Sequence, residues 1–299
     1  MRVALVIVTY NSADVLPGCL ASIPAGAEGV ELTDVVVADN ASHDGSPVLA
    51  KQADGLPMRV VDVGSNAGYA AAINAGIAAL DLDRLDAVYV LNPDCRLRPG
   101  SIRPLAEQAH RGIAVPYMIN PDGSLQPSLR RMPSLGRAAV EAVIGGIRAG
   151  RIGALGELVT HPRDYVVARR VAWATGAAMC MSARMLAQLG PWDESFLLYS
   201  EETEYCLRAA DHGWITWYEP CSVIEHIGGE SAVNPALAAL LIVNKVGLFR
   251  RRRGPLAGTL YFLIVLAGEA ARALAGRRTS RRCVAWLLRP SLRWKSLPG

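Results

Sequence analysis

Over the first 120 residues, short runs of β-branched and aliphatic residues alternate with longer helix-like stretches. Residues 3–8 read as a buried strand, followed by a helix opened by Ser12 that runs through Val15, Leu16 and Leu20. Residues 35–38 form the next strand, and the helix after it is introduced by Asp44, Gly45, Ser46 and Pro47. Residues 59–63 then precede a helix over 69–80, and residues 87–91 precede one that begins near Pro99. Strands that are apolar on both faces and alternate with helices predict a mostly parallel α/β sheet covered by helices on each side.

Ligands of such sheets bind beyond the carboxyl ends of the strands. Here those ends carry Thr9, Tyr10 and Asn11; Asp39 and Asn40; Gly64, Ser65 and Asn66; and Asn92, Pro93 and Asp94. Asn92-Pro93-Asp94 alone would be a turn, because Pro93 ends a strand and fixes a bend. Four polar tips on one edge make a candidate site. Asn66 to Gly68 open a helix whose free N–H groups favour a phosphate. The segment lacks the dinucleotide and P-loop fingerprints, which argues against NAD and ATP.

Beyond residue 120 the pattern loosens. Pro121-Asp122-Gly123 predicts a hairpin turn, and the Arg/Gly-rich stretch 145–165 reads as a mobile surface loop. Order resumes over 170–182 and 184–189, and residues 199–212 read as an acidic helix. From residue 236 onward the character changes: 13 Lys/Arg face one acid, Glu269, so this tail carries +12 while residues 1–235 carry −8. Its apolar run, 256–267, is 12 residues long, short of the roughly 20 a spanning helix needs. The tail therefore reads as helices lying on an anionic membrane surface, or packed on the domain or on a second copy with a basic outer face. No nucleic-acid motif accompanies the charge. Six scattered cysteines without C-x-x-C spacing fit reduced thiols. The first apolar run is too short for a signal peptide, which predicts a cytoplasmic chain.

Seven stretches occur in order: VTYNS (8–12), VADNASHDGS (37–46), NAGYAAAINAG (66–76), LNPD (91–94), TGA (175–177), WDESFLLYSEETEYCLRAADHGW (192–214) and HIGGES (226–231). Together they resemble the inverting family 2 glycosyltransferases of the GT-A fold, in particular their rhamnosyltransferase-like branch. The resemblance implies a catalytic domain over 1–235, with a nucleotide-binding half (1–120) and an acceptor-binding half (121–235), followed by the tail at 236–299. It implies transfer from a nucleotide-sugar donor, with dTDP-L-rhamnose the best candidate, to an acceptor hydroxyl with inversion. With the tail, it points to a polyprenyl-diphosphate-linked glycan acceptor, cell-envelope assembly and a place on the inner face of the cell membrane. A soluble natural-product acceptor is the alternative. So are a sugar nucleotidyltransferase, disfavoured by a first loop without Gly, Lys or Arg, and a non-catalytic sugar-nucleotide-binding protein.

The resemblance also implies roles. Thr9, Tyr10, Asn11 and Asp39 would hold the base and ribose. Asn66, Gly68 and Asn74 would line the diphosphate region, and Thr175 and Gly176 would let backbone approach the donor sugar. Asp94 would be the main protein ligand of a divalent metal, Mg²⁺ or Mn²⁺, with His226 a second ligand or diphosphate contact. The family's D-x-D reads Asn92-Pro93-Asp94 here, so Asn92 would orient ribose or water. Glu202 would be the base that deprotonates the acceptor, with Glu201 the runner-up, and Trp192 and Asp193 would shape the acceptor pocket. Each has a plainer reading. Asp39-Asn40 can be an Asx turn, Tyr10 and Trp192 core aromatics, Asn66–Gly68 a capping turn, and the acids of 201–204 a solvated helix start.

Overall fold

The structure, a computed structural model, describes residues 1–228 and 234–298. In chain order the strands are β1 (Arg2–Thr9), β2 (Glu31–Asp39), β3 (Met58–Asp62), β4 (Ala87–Leu91), β5 (Cys95–Leu97), β6 (Gly112–Ile119), β7 (Leu129–Arg130), β8 (Arg169–Val171), β9 (Trp173–Ala174), β10 (Ala178–Ser182) and β11 (Ile215–His226). The helices are α1 (Leu16–Gly26), α2 (Ser46–Lys51), α3 (Tyr69–Ala78), α4 (Ile102–Gln108), α5 (Leu135–Ile144), α6 (Gly146–Arg151), α7 (Ala183–Leu189), α8 (Glu201–Asp211), α9 (Pro235–Leu274) and α10 (Arg278–Leu288).

Period-two alternation in β1 explains why the sheet is covered on both sides. Val3, Leu5 and Ile7 point into a core shared with Leu16, Ile23, Ile102 and Leu105. Ala4, Val6 and Val8 point into the other core, with Ile73, Trp192 and Tyr205. The main sheet runs β3-β2-β1-β4-β10-β6-β11-β5, with β8 also paired to β11, and β7 and β9 form a separate pair. Strands β1 to β4 are parallel as expected. Beyond them the sheet is mixed, because β10 lies antiparallel between β4 and β6, while β11 runs parallel to β6 and antiparallel to β5 and β8. The reason is local. The chain leaving β9 re-enters the sheet beside the tip of β4, with Ala178 opposite Leu91. A strand that starts at that edge can only run down the sheet, against β4. This reversal sets Thr175 to Ala177 against the ligand edge, where the Ala177 carbonyl accepts the Asn92 N–H at 2.8 Å.

The 120–125 hairpin forms, with Asn120 N–H donating to the Ser124 carbonyl. The 145–165 stretch departs from expectation: it contains α6, and Glu157 and Val159 are buried. What draws Glu157 inward is Lys245 of the tail, 2.7 Å away, which also pairs with Glu141 of α5 at 3.2 Å. Burial pulls the Lys245 ammonium down, but the two carboxylates hold it well above the ordinary lysine value. Removing one partner of such a cluster costs roughly 3–5 kcal/mol.

The tail is a helical hairpin. By length and composition α9 could cross a membrane, yet Gly254, at φ 81° and ψ 175°, interrupts it, and Pro255 begins a second leg. The rings of Phe249 and Tyr261 stack 4.0 Å apart; on an unbroken helix they would be about 18 Å apart at 1.5 Å per residue. The hairpin packs on α5 and α10 through Ala138, Val246, Phe249, Tyr261 and Leu287. Leu256, Leu260 and Leu263 of the second leg stay exposed, Leu256 at 88%. Five of the six cysteines are buried, and none of the six is in a disulfide.

Candidate active site

At the donor edge, Thr9 and Asp39 end adjacent parallel strands in register. Thr9 is fully buried and its hydroxyl donates to Asp39 Oδ1 at 2.7 Å. Asp39 also accepts from the Ser42 N–H (2.8 Å) and hydroxyl (2.6 Å), so its carboxylate builds an Asx turn and is 1% exposed. Asn11, at φ 47°, accepts from the His43 N–H at 2.9 Å and ties the first loop to the second. Beside these loops lies a cavity of about 410 Å³ lined by Ala41, His43, Ser65, Asn66 and Leu297. The Pro298 carbonyl reaches its rim and accepts from Tyr10 Oη (3.1 Å) and Asn66 Nδ2 (2.7 Å). Two of the sequence-predicted donor residues, Tyr10 and Asn66, are thus engaged by the chain's own C-terminal segment.

The second feature is a corner where β5 and β11 meet. Their antiparallel pairing sets His226 opposite Cys95 and next to Asp94. Asp94 Oδ2 accepts the Gly228 N–H at 2.9 Å, while Oδ1 lies 3.3 Å from His226 Nε2. That Oδ1 is buried and has no hydrogen-bond partner among the described residues. Burial pushes the Asp94 carboxyl up, but the His226 imidazole and the Gly228 N–H outweigh it and hold the group below the usual carboxylate value. His226 is oriented from behind. Gln126 Nε2 donates to Asn120 Oδ1 and to the His226 carbonyl, which leaves its Oε1 to accept Nδ1–H at 2.7 Å. Nε2 is then the nitrogen on the Asp94 side: protonated, it donates toward the carboxylate, and with that proton lost its lone pair is free for a cation. An ionised carboxylate with an unsatisfied oxygen beside an imidazole lone pair fits a divalent cation such as Mn²⁺, which accepts O and N donors. Cys95 Sγ lies within reach, but burial raises its pKa far above the ordinary thiol value and keeps it protonated. Of HIGGES, Gly229 to Ser231 lie outside the described residues.

The carboxylates sit at the start of α8, after a turn in which Leu197, Tyr199 and Ser200 all have positive φ (62°, 68° and 79°). Non-glycine residues there cost on the order of 1–3 kcal/mol each and persist only when held. Asn244 of α9 holds them: its Nδ2 donates to the carbonyls of Phe196 (2.7 Å), Leu198 (2.9 Å) and Tyr199 (3.1 Å). Glu201 points into the core at 2% exposure, and its Oε2 has no hydrogen-bond partner among the described residues. Burial, then the neighbouring Glu202 carboxylate, push its pKa well above the ordinary value. Glu202 lines an open cleft of about 1580 Å³ together with Arg130, Trp173 and Thr175. Burial raises its pKa too, and Arg130 pulls it part of the way back. Tyr69 bridges the two features. Its hydroxyl donates to the Gly176 carbonyl at 2.8 Å, and it feels the charges of Glu201, Glu202 and Asp94 together.

Not every expected residue converges. Asn74 Nδ2 donates to the Trp192 carbonyl (3.0 Å) and Glu194 Oε1 (2.8 Å), and its Oδ1 accepts the Trp192 N–H, so it clamps a loop rather than facing a diphosphate. Trp192 is 2% exposed and stacked 4.5 Å from Tyr205. It packs among core residues that include Tyr205, Cys206 and Ala209 of α8, where no sugar reaches it. Asp193 is absent from the cleft wall and pairs with Arg251 at 2.9 Å. The aromatic residues on the cleft wall are Trp173, Tyr199 and Phe249. Asn92, half-buried beside Asp94, spends its backbone on the Ala177 carbonyl. Gln126, Tyr69, Arg130 and Asn244 went unread in the sequence. Each acts through a partner far along the chain, and only Tyr69 lies within one of the seven stretches.

The glycosyl transferase family 2 model matches residues 4–171, more than half of the chain. The chain belongs to glycosyl transferase family 2. This glycosyltransferase is 33% identical over 300 residues to N-acetylglucosaminyl-diphospho-decaprenol L-rhamnosyltransferase of Mycobacterium tuberculosis, covering 93% of this chain and 95% of that one. Its fold resembles that of the mannosyltransferase PcManGT from Pyrobaculum calidifontis, solved with GDP-Man and Mn²⁺ (TM-score 0.55, 16% identity, 98% of this chain and 81% of that one). It also resembles GalNAc-T7, solved with UDP, GalNAc and Mn²⁺ (TM-score 0.60, 14% identity, 96% and 56%). The enzyme is therefore a transferase of GT-A-like fold and rhamnosyltransferase-like kinship.

Proposed function

We propose that this glycosyltransferase transfers L-rhamnose from dTDP-L-rhamnose, with inversion, to a hydroxyl of an N-acetylglucosamine carried on a polyprenyl diphosphate, in cell-envelope glycan assembly. The Mycobacterium tuberculosis relative, named for a reaction on such an acceptor, supports the substrate class. The observation that carries the mechanism is that Gly176 packs against Glu202 and Tyr69, while the next residue, Ala177, holds Asn92 two residues before Asp94. The donor lies along the strand tips between Tyr10, Asn66 and Asn92, with its sugar over Thr175 and Gly176. The acceptor enters through the cleft. Glu202 takes the proton of the acceptor hydroxyl as its oxygen bonds to the anomeric carbon. The bond from that carbon to the diphosphate breaks on the opposite side, and its electron pair leaves with the diphosphate. Asp94 and His226 would hold a divalent cation, which neutralises charge gathering on the departing group. Glu201 is the less suited base, since it faces the core.

Residues 1–120 supply the donor side and 121–235 most of the acceptor side. The hairpin from 236 onward rests on the inner face of the cell membrane through its exposed leucines and basic ends, leaving the catalytic domain in the cytoplasm. Initial rates with a panel of nucleotide-sugars and a soluble prenyl-diphosphate acceptor test the reading. Glu202→Gln should lower kcat roughly 10²–10⁴-fold while donor binding stays near wild type. Because the base must be ionised and its pKa is raised, wild-type turnover should fall as pH drops, with a midpoint above the ordinary glutamate value of 4.5. Undiminished turnover by Glu202→Gln would remove the base assignment, and failure to use any nucleotide-sugar would remove the reaction.

A further inference from the structure

The chain reaches Thr175 and Gly176 from a two-stranded ribbon, β7 and β9, that lies outside the main sheet. Its antiparallel register sets Arg130 opposite Trp173 and Leu129 opposite Ala174. The pairing runs on past the strand ends. The Thr175 N–H donates to the Ser128 carbonyl at 3.0 Å, and one step more along the same register brings Pro127 level with Gly176. A Cβ on Gly176 would lie 3.2 Å from the Glu202 Cβ, so that end of the ribbon abuts the proposed base.

Arg130, half-buried on the cleft wall, folds back toward that end. Its Nη1 donates to the carbonyls of Pro127 (3.0 Å) and Leu129 (3.2 Å), and its guanidinium lies 5.6 Å over the Trp173 ring. Trp173 is fixed in turn, because its Nε1 donates to the Arg131 carbonyl at 3.3 Å. The Nε and Nη2 of Arg130 make no hydrogen bond, and the residue no ion pair, among the described residues.

Several groups bear on Glu202. Glu201 and Cys206 share its helix, and Tyr69 reaches it from α3. Of the other cations on the cleft wall, Lys245 is held by Glu141 and Glu157, Arg251 by Asp193, Arg252 by Asp211 and Arg272 by Glu269. Arg148, Arg253 and Arg277 are exposed to solvent. Arg130 is the cation that offsets the effect of burial on the Glu202 carboxyl. It does so without an ion pair, which leaves the carboxylate open to an acceptor hydroxyl.

Resting on the reading of Glu202 as the base, we propose that Arg130 is its positioning residue: a guanidinium clamped over Trp173 supplies a fixed positive field that keeps the Glu202 carboxylate ready for the acceptor's proton. A base must be ionised to work, and an arginine keeps its charge wherever a carboxylate titrates. Without that charge, less of the base is active in acid, while in alkali all of it is.

The experiment follows kcat against pH, at saturating donor and acceptor, for wild type, Arg130→Gln and Arg130→Lys. On the acid limb Arg130→Gln should run about ten-fold below wild type, the effect of one nearby opposite charge on a carboxylate. On the alkaline plateau the two should converge. Arg130→Lys keeps the charge and should restore the acid limb. A loss equal at every pH, or an acid limb that lysine fails to restore, would overturn the positioning role and leave Glu202 as the base. Adding Arg130→Gln to Glu202→Gln should cost less than about two-fold, since both act through one carboxylate. A further loss of about ten-fold in that double variant would assign Arg130 to the substrate and overturn the proposal. Should Arg130→Gln fold poorly, Trp173→Leu unseats the guanidinium and carries the same expectation. Full activity of Glu202→Gln would overturn the base and the positioning role together.

Discussion

The hydrogen bond between Gln126 and His226 is the most exposed joint of the proposed metal corner. Gln126→Ala removes two bonds to that residue, one to Nδ1 at 2.7 Å and one to its carbonyl at 3.1 Å. At about 0.5–1.5 kcal/mol each, the loss is roughly 1–3 kcal/mol, or about 5- to 150-fold in an equilibrium constant. The direction follows from the tautomer. Without an acceptor at Nδ1, the proton can move to Nε2 and be donated to Asp94 Oδ1, which satisfies that oxygen without a cation. The apparent Mn²⁺ constant for activation should therefore rise about 10- to 100-fold, in the range found when a residue supporting a metal ligand is removed. The rate at saturating Mn²⁺ should stay near wild type, because nothing else in the site has moved. Mn²⁺ titration of the initial transfer rate measures both. An unchanged metal constant in a folded Gln126→Ala protein would refute the reasoning, as would a loss confined to the maximal rate.

Other expectations concern the turn before α8, the buried acid and the C-terminal segment. Gly68 has φ 102°, and a Cβ there would collide with the Leu197 carbonyl oxygen; Gly68→Ala should leave circular dichroism unchanged and lower kcat about 10²-fold or more, and full activity would contradict this. Glu201 has its folded pKa raised above the ordinary 4.5, so it holds a proton the unfolded chain releases, and wild-type stability falls as pH rises between those two values. Glu201→Gln should then be more stable than wild type at neutral pH, on the order of 2 kcal/mol, with the gain gone below about pH 4; urea melts across pH would sink the idea if the sign were reversed. Removing residues 296–299 frees Tyr10 and Asn66 from the Pro298 carbonyl. Donor binding should tighten by up to about 30-fold, at roughly 1 kcal/mol for each of the two bonds, and calorimetry showing weaker binding would mean that the segment helps to hold the nucleotide.

What could be read from the chain alone was whatever local pattern determines. Strands β1 to β4 and their polar tips follow from apolar runs and turn residues, whereas Glu202 was singled out from Glu201 only through the resemblance. The antiparallel β10 did not, since no periodicity says from which edge a strand enters. The pairing of Asp94 with His226 bridges 132 residues and came only through resemblance. Trp192 packs in the core and Asp193 pairs with Arg251, and local sequence leaves this open because an aromatic beside an acid looks the same in a core as in a sugar pocket. The 145–165 stretch looked like a loop because the ion that buries Glu157 comes from residue 245. Gly254-Pro255 is a breaker in plain view, and it turns one long helix into a hairpin.

Asn244 gives the tail a second office. The amide that steadies the three positive-φ residues ahead of Glu201 and Glu202 is contributed by the first leg of the hairpin. A chain shortened before residue 244, made to gain solubility, would keep the strand tips of the donor edge and yet hand the carboxylate proposed as its base to an unsupported loop. Silence from such a fragment would report a missing splint, with no bearing on the chemistry of the intact enzyme.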